Sequence, residues 1–169
     1  MIVTDEKFLR QRSSKATYEE GLEILQKLRN QLTETPGMGL AAPQIGILKS
    51  VALIVVKDKP ELSIINPIII KSYDPIIFYN ESCLSFPGRK VNTQRFQYAV
   101  VKDDLHPHGF VCCDDESVCV QHEIDHLNGV LLFDHEHKQT KVGRNDPCPF
   151  CLKMGKTIKF KKCKEHYGK

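Results

Sequence analysis

The sequence predicts an α+β fold, with antiparallel sheets around a central helix that presents metal-binding side chains, and a small zinc-stabilised appendage at the C-terminus. Three observations lead there. Two segments of helical character, Thr17–Leu32 and the stretch that follows Asp114, stand far apart in the chain. The residues between them read as strands punctuated by proline and glycine turns, and strands with separate helices belong to the α+β class. Residues 141–169 then change character, becoming strongly basic with paired cysteines. One domain at 1–140 and an appendage at 141–169 suit a chain of 169 residues, and a hydrophobic fraction of 41% supplies a real core.

Residues 1–16 are polar with scattered apolar positions and read as an arm around the body. Thr17 and Glu20 form a capping box at the start of the first helix. Leu22, Leu25, Leu28 and Leu32 are its expected buried stripe, and Pro36-Gly37 ends it. The segment Gly37–Gly46 formally contains G-x-G-x-x-A. It follows a helix and leads into a strand, the reverse of a dinucleotide fingerprint, so that reading is rejected. Its small residues let backbone approach a ligand or another strand closely. Gln44 is its one polar side chain able to orient a substrate oxygen; the plainer alternative is a tight turn with Gln44 facing solvent. Val51–Val56 is a strand by β-branched content. Leu62–Ile70 is another, interrupted at Asn66-Pro67, and Ile76–Tyr79 a short third. Gln97–Lys102 and Phe110–Cys113 form a hairpin across His106–Gly109. Asp114, Asp115 and Glu116 give the next helix its acidic first turn. Val120, Ile124 and Leu127 are its apolar face, and Gly129 its stop.

Composition narrows the function. Of 24 basic residues, 9 lie in 141–169, against 2 of the 21 acidic ones, giving that segment a net +7 and the rest a net −4. A basic tail on an acidic body suits an anionic partner, RNA or an acidic protein surface; the plainer reading is a solvated tail. The first residues are charged and lack an apolar signal core, and the longest apolar run, Val51–Val56, is far too short to span a bilayer. A cytoplasmic protein with no membrane role is expected. Its seven cysteines then suggest metal before disulfides.

Residues 121–129 contain H-E-x-x-H on the second helix. His122 and His126, four apart, project from one face and can share a metal ion, while Glu123 can take a proton from metal-activated water. Two imidazoles do not complete such a site. The extended zinc-peptidase frame would place a third histidine where Leu132 stands. Asp134, His135, Glu136, His137, Cys119 and Cys83 all remain candidates by spacing. Cys83 in a Pro/Gly-bounded loop would give a Cys-His-His site with an open position; a buried cysteine acting as a small hydrophobe is the plain alternative.

Three motifs in order resemble those of peptide deformylases, the enzymes that remove the formyl group from the initiator methionine of new proteins. Residues 37–44 (GMGLAAPQ) are similar to the family's G-x-G-L-A-A-P-Q, residues 81–85 (ESCLS) to its E-G-C-L-S, and residues 121–126 (QHEIDH) to its Q-H-E-x-D-H. The resemblance extends to about Phe133. It departs at Ser82, where the family usually has glycine, and in the family's long C-terminal helix, which gives way here to the basic tail. The resemblance implies Cys83, His122 and His126 as ligands of Fe²⁺, with Zn²⁺, Ni²⁺ or Co²⁺ able to take the site, and water or hydroxide in the fourth position. It implies Glu123 as general base and then acid, Gln44 and the Leu84 backbone N–H as oxyanion donors, and Gly39 with its neighbours as partners of the peptide backbone. N-formylmethionyl nascent peptides would be the substrates and formate a product.

In the tail, Cys148-x-x-Cys151 followed by Cys163-x-x-His166 has structural-zinc spacing, and metal would supply the folding energy of so short a segment. It resembles the SEC-C motif, with Phe150 added between the first two cysteines and His166 displaced. Such tails imply a ribosome or protein partner. Two rivals stand against the deformylase reading: a zinc peptidase using His122, His126 and a nearby carboxylate, and a binding module with a vestigial pocket. Intact ligand, base and oxyanion candidates argue against the second.

Overall fold

The computed structural model describes residues 1–137. One short helix, α1 (Glu6–Leu9), and two long ones, α2 (Tyr18–Glu34) and α3 (Asp114–Leu127), combine with six strands in two antiparallel sheets. The first sheet has the order β1 (Gly39–Ala41), β2 (Val51–Ile54), β3 (Leu62–Ile65). The second has β4 (Ile68–Ser82), β5 (Lys90–Lys102), β6 (Phe110–Cys113).

The period of two in β2 explains how the core is built. Val51 and Leu53 turn to one side and pack with Ile24, Leu25 and Leu28 of α2. Ala52 and Ile54 turn to the other and join Val120, Ile124 and Leu127 of α3, which also meets Ala99, Val101 and Cys112 from the second sheet. Helix α3 is therefore covered on both sides, with ten of its fourteen residues buried. Gln121 fixes its position along the sheet. Its side chain accepts from the Phe96 N–H at 3.0 Å and donates to the Phe96 carbonyl at 2.8 Å, replacing a missing strand partner.

Helix α2 starts at the predicted capping box, with Thr17 and Glu20 satisfying each other's backbone N–H groups at 3.2 and 2.8 Å. Its buried stripe differs from the expected one. Leu25 and Leu28 are buried and Leu32 is half-buried, but Leu22 is 45% exposed, and Ile24 and Gly21 take its place. The helix lies so close to β3 that a Cβ on Gly21 would meet Ile65 at 2.3 Å, which turns Leu22 outward. The arm does wrap the body. Val3 N–H bonds to the Gln44 carbonyl and Ser13 N–H to the Leu127 carbonyl, but the arm also contains α1, which buries Leu9.

The break at Asn66-Pro67 is present, with Asn66 in the left-handed region at φ 53°. Beyond it, the two runs read as separate strands are one strand, β4, continued through bulges at Ile69/Lys71 and Phe78/Glu81. Pro75 is tolerated because β4 is an edge strand. Strand β5 begins at Lys90, seven residues before the predicted Gln97, because its N-terminal half pairs with the end of β4. The tail ligand candidates Cys148, Cys151, Cys163 and His166 lie outside the described residues.

Candidate metal centre

Helix α3 carries His122, Glu123 and His126, and the loop leaving β4 carries Cys83. Donor atoms of Cys83, His122 and His126 lie within 4.8 Å of one another, the one such group among the described residues. Cys83 Sγ is 3.2 Å from His126 Nε2, and all three side chains are buried. One thiol and two imidazoles converging at this distance fit a divalent cation in a three-ligand site with an open position. Burial opposes charge on His122, but hydrogen bonds to Cys83 and Glu81 outweigh it and hold its pKa well above the ordinary value. Burial, together with the His122 charge, pushes His126 well below it.

A chain of buried charges fixes His122. Its Nδ1 is 2.6 Å from Glu81 Oε1, which leaves Nε2 for the metal side. Arg95 grips Glu81 at 2.9 and 2.6 Å and reaches Asp125 at 2.5 Å, while the Thr93 hydroxyl also donates to Glu81. His135 Nε2 lies 2.9 Å from Asp125 Oδ2. Burial disfavours the Glu81 carboxylate, yet His122 and Arg95 hold it ionised far below the usual range.

Glu123 lies fully inside the site, and burial lifts its carboxyl to about 7. Its Oε2 has no hydrogen-bond partner among the described residues. A Cβ at position 39 would stand 2.5 Å from Glu123 Oε1 and 2.8 Å from Cys119 Sγ, so glycine there is what lets β1 lie against the acid. Gln44 is buried, not turned to solvent. Ala41 N–H holds its Oε1 at 2.9 Å, and its Nε2 donates to Ser85 Oγ at 3.2 Å and Cys83 Sγ at 3.4 Å. These groups line a cleft of about 670 Å³ whose walls include Gly37–Gly39, Phe78–Ser82 and Leu84.

The other candidates for third ligand are held elsewhere. Burial raises the Cys119 thiol well above its ordinary pKa, and it donates to the Met38 carbonyl at 3.1 Å. Asp134 pairs with Arg10, His135 lies beside Asp125, and the backbone of Glu136 and His137 bonds alongside β5. Sequence reasoning assigned no role to Glu81, Thr93, Arg95 or Asp125. Glu81 and Asp125 stand inside the motifs; nothing local marks Arg95, whose burial appears only once β4 and β5 pair.

The profile of a family described as Polypeptide deformylase matches residues 1–142. The peptide deformylase of Agrobacterium fabrum is 35% identical over 151 residues, covering 80% of this chain and 85% of that protein. Among solved structures, a peptide deformylase from Plasmodium falciparum has TM-score 0.74 and 30% identity, covering 82% of this chain and 87% of its own. One from Synechococcus elongatus, in complex with actinonin, has TM-score 0.73 and 32% identity, over 82% of this chain and 79% of its own. With its three-donor centre and antiparallel architecture, the chain belongs to the polypeptide deformylase family, the metalloenzymes that remove the formyl group from the N-terminal methionine of nascent proteins.

Proposed function

We propose that Cys83, His122 and His126 hold a divalent ion, Fe²⁺ first and Zn²⁺, Ni²⁺ or Co²⁺ in its stead, and that this site hydrolyses formyl-methionyl peptides. The observation that carries the reading is the convergence of those three donors beside an acid with a free oxygen. A divalent cation with an open position supplies Lewis acidity, which acidifies water and polarises a carbonyl. Glu123 takes the proton of the attacking water through Oε2 and returns it to the leaving amine, so formate and a free methionine amine result. The Leu84 N–H and Gln44 Nε2 donate to the oxyanion, and Gln44 gives up its weaker bond to sulfur to do so. Strand β1 is a sheet edge beside Glu123, and Gly39 with its neighbours pairs there with the backbone of the peptide.

Formate release from a formyl-Met peptide is the test, using protein prepared without oxygen and loaded with Fe²⁺ or Ni²⁺. Glu123→Ala should keep its metal and lose about 10²–10⁴ in turnover. Normal turnover in that variant would remove the general-base role, and a fully active Cys83→Ser variant would remove the ligand set.

The tail reading rests on sequence alone. Cys148, Cys151, Cys163 and His166 are assigned to a Zn²⁺ ion in an appendage at 141–169, separate from the catalytic domain at 1–140. Its charge and the nascent-chain substrate favour a ribosome or protein partner and a cytoplasmic setting. Among the described residues no helix is long and apolar enough to cross a membrane. Removing 141–169 should weaken co-sedimentation with ribosomes and spare peptide turnover; unchanged co-sedimentation would discard the partner.

A further inference from the structure

The cleft is lined by four groups of formal charge, Glu81, Glu123, Arg89 and Lys90, and they divide by depth. The two acids are buried on the floor, where Glu81 is neutralised by Arg95 and His122. The two cations are exposed at the mouth, and among the described residues neither has a carboxylate partner within 4.0 Å, so both are available to a ligand in the cleft. A substrate entering this cleft meets positive charge first.

Arg89 is also held in place. Its guanidinium lies 3.8 Å over the centroid of the Phe133 ring, and Phe133 packs edge-on against Phe86, a wall of the cleft, at 4.9 Å. Stacking on an aromatic face restricts a side chain that otherwise loses much freedom on binding, while leaving its N–H fork available. Lys90 pairs in register with Ser82, the residue before Cys83, so the cationic rim starts one strand spacing from the metal-binding loop. An extended peptide advances about 3.3–3.6 Å per residue. With its formyl group at Cys83, His122 and His126, an extended substrate is read at this rim through its third and fourth residues.

We propose that Arg89 and Lys90 determine specificity downstream of the formyl-methionine, selecting nascent chains with acidic residues at the third and fourth positions over those with basic ones. The proposal rests on the deformylase reading of the cleft. Exposed charges act modestly at each contact and are screened by salt, so the effect lies in kcat/KM at low ionic strength and fades as salt rises.

The test compares formyl-Met-Ala-Glu-Glu amide with formyl-Met-Ala-Lys-Lys amide, using the full chain loaded with Ni²⁺. Formyl-Met-Ala amide, too short to reach the rim, is the reference. The acidic peptide should be favoured by about fivefold or more in kcat/KM near 0.05 M salt, from two contacts of ordinary exposed strength. The preference should shrink toward one near about 0.5 M. The double substitution Arg89→Glu, Lys90→Glu should invert it, and Arg89→Gln with Lys90→Gln should abolish it. Equal rates for both peptides on the unaltered chain, or a preference that survives the charge reversal or high salt, would overturn the proposal while turnover of formyl-Met-Ala amide leaves the deformylase reading standing. Failure to turn over even that reference would remove the reading and this inference with it. Where the charge-reversed variant does not fold, the neutral pair Arg89→Gln, Lys90→Gln decides the matter: a preference that persists in it comes from the basic tail and overturns the proposal.

Discussion

Strands β2 and β4 meet opposite demands. Strand β2 has four residues, all apolar and all buried, with one face on α2 and the other on α3. Strand β4 has fifteen, of which Glu81 alone is buried. The first is held by apolar area and anchors helix to sheet. The second lies at a sheet edge and is tied down at its far end by a carboxylate gripped by Arg95, His122 and Thr93. Apolar patterning thus builds the platform that carries α3, while a buried ion network aims the β4 loop, and Cys83 with it, at the two histidines. Burial of a charge is costly unless its partners are complete, so this second anchor is specific where the first is merely strong.

The largest expected effect follows from breaking the network. Arg95→Ala leaves Glu81 and Asp125 buried or half-buried without their cation. The cost should be about 3–5 kcal/mol of stability, and metal affinity of the protein that still folds should fall about 10–100-fold through the loosened His122. Denaturant unfolding and metal titration measure the two separately. A loss of stability with unchanged metal affinity would mean that the network supports the fold and not the site.

Leu53→Ala sharpens the contrast. Leu53 is fully buried against α2, on the face of β2 away from the site. Its truncation should cost about 2–4 kcal/mol through lost contacts and a residual cavity. The folded fraction should keep its metal affinity and kcat/KM. A matching fall in metal affinity would show that the two anchors are one cooperative unit.

The same contrast explains what could be read from the chain itself. Platform elements announce themselves locally: Thr17 and Glu20 cap α2, the β-branched run marks β2, and Val120, Ile124 and Leu127 mark the face of α3. The histidines and Glu123 share one helix, so their grouping follows from period alone. Cys83 does not; spacing left it level with Cys119 and with the residues after Phe133, and only the resemblance in motifs favoured it. Glu81 and Arg95 are fourteen residues apart in sequence and adjacent only because β4 and β5 pair with a bulge at Phe78/Glu81. Leu22 misled because the stripe was drawn through leucines, whereas the tight approach of Gly21 to Ile65 sets which side of α2 faces in.

The smallest effect is expected in the middle of β4. Ile70 is the residue skipped in the register between Ile69 and Lys71, so it lacks a directly opposed partner on β5, and it is 56% exposed. By residue type it belongs to a core, in the run Ile68-Ile69-Ile70; by position it touches little that folding needs. Ile70→Ser should therefore shift stability by no more than about 0.5 kcal/mol, as ordinary surface substitutions do, and leave turnover intact. The denaturation midpoint at constant slope is the measurement. A loss of about 2 kcal/mol, the scale of a fully buried aliphatic side chain, would mean that this stretch is covered in solution and that β4 is held by apolar burial after all, erasing its difference from β2.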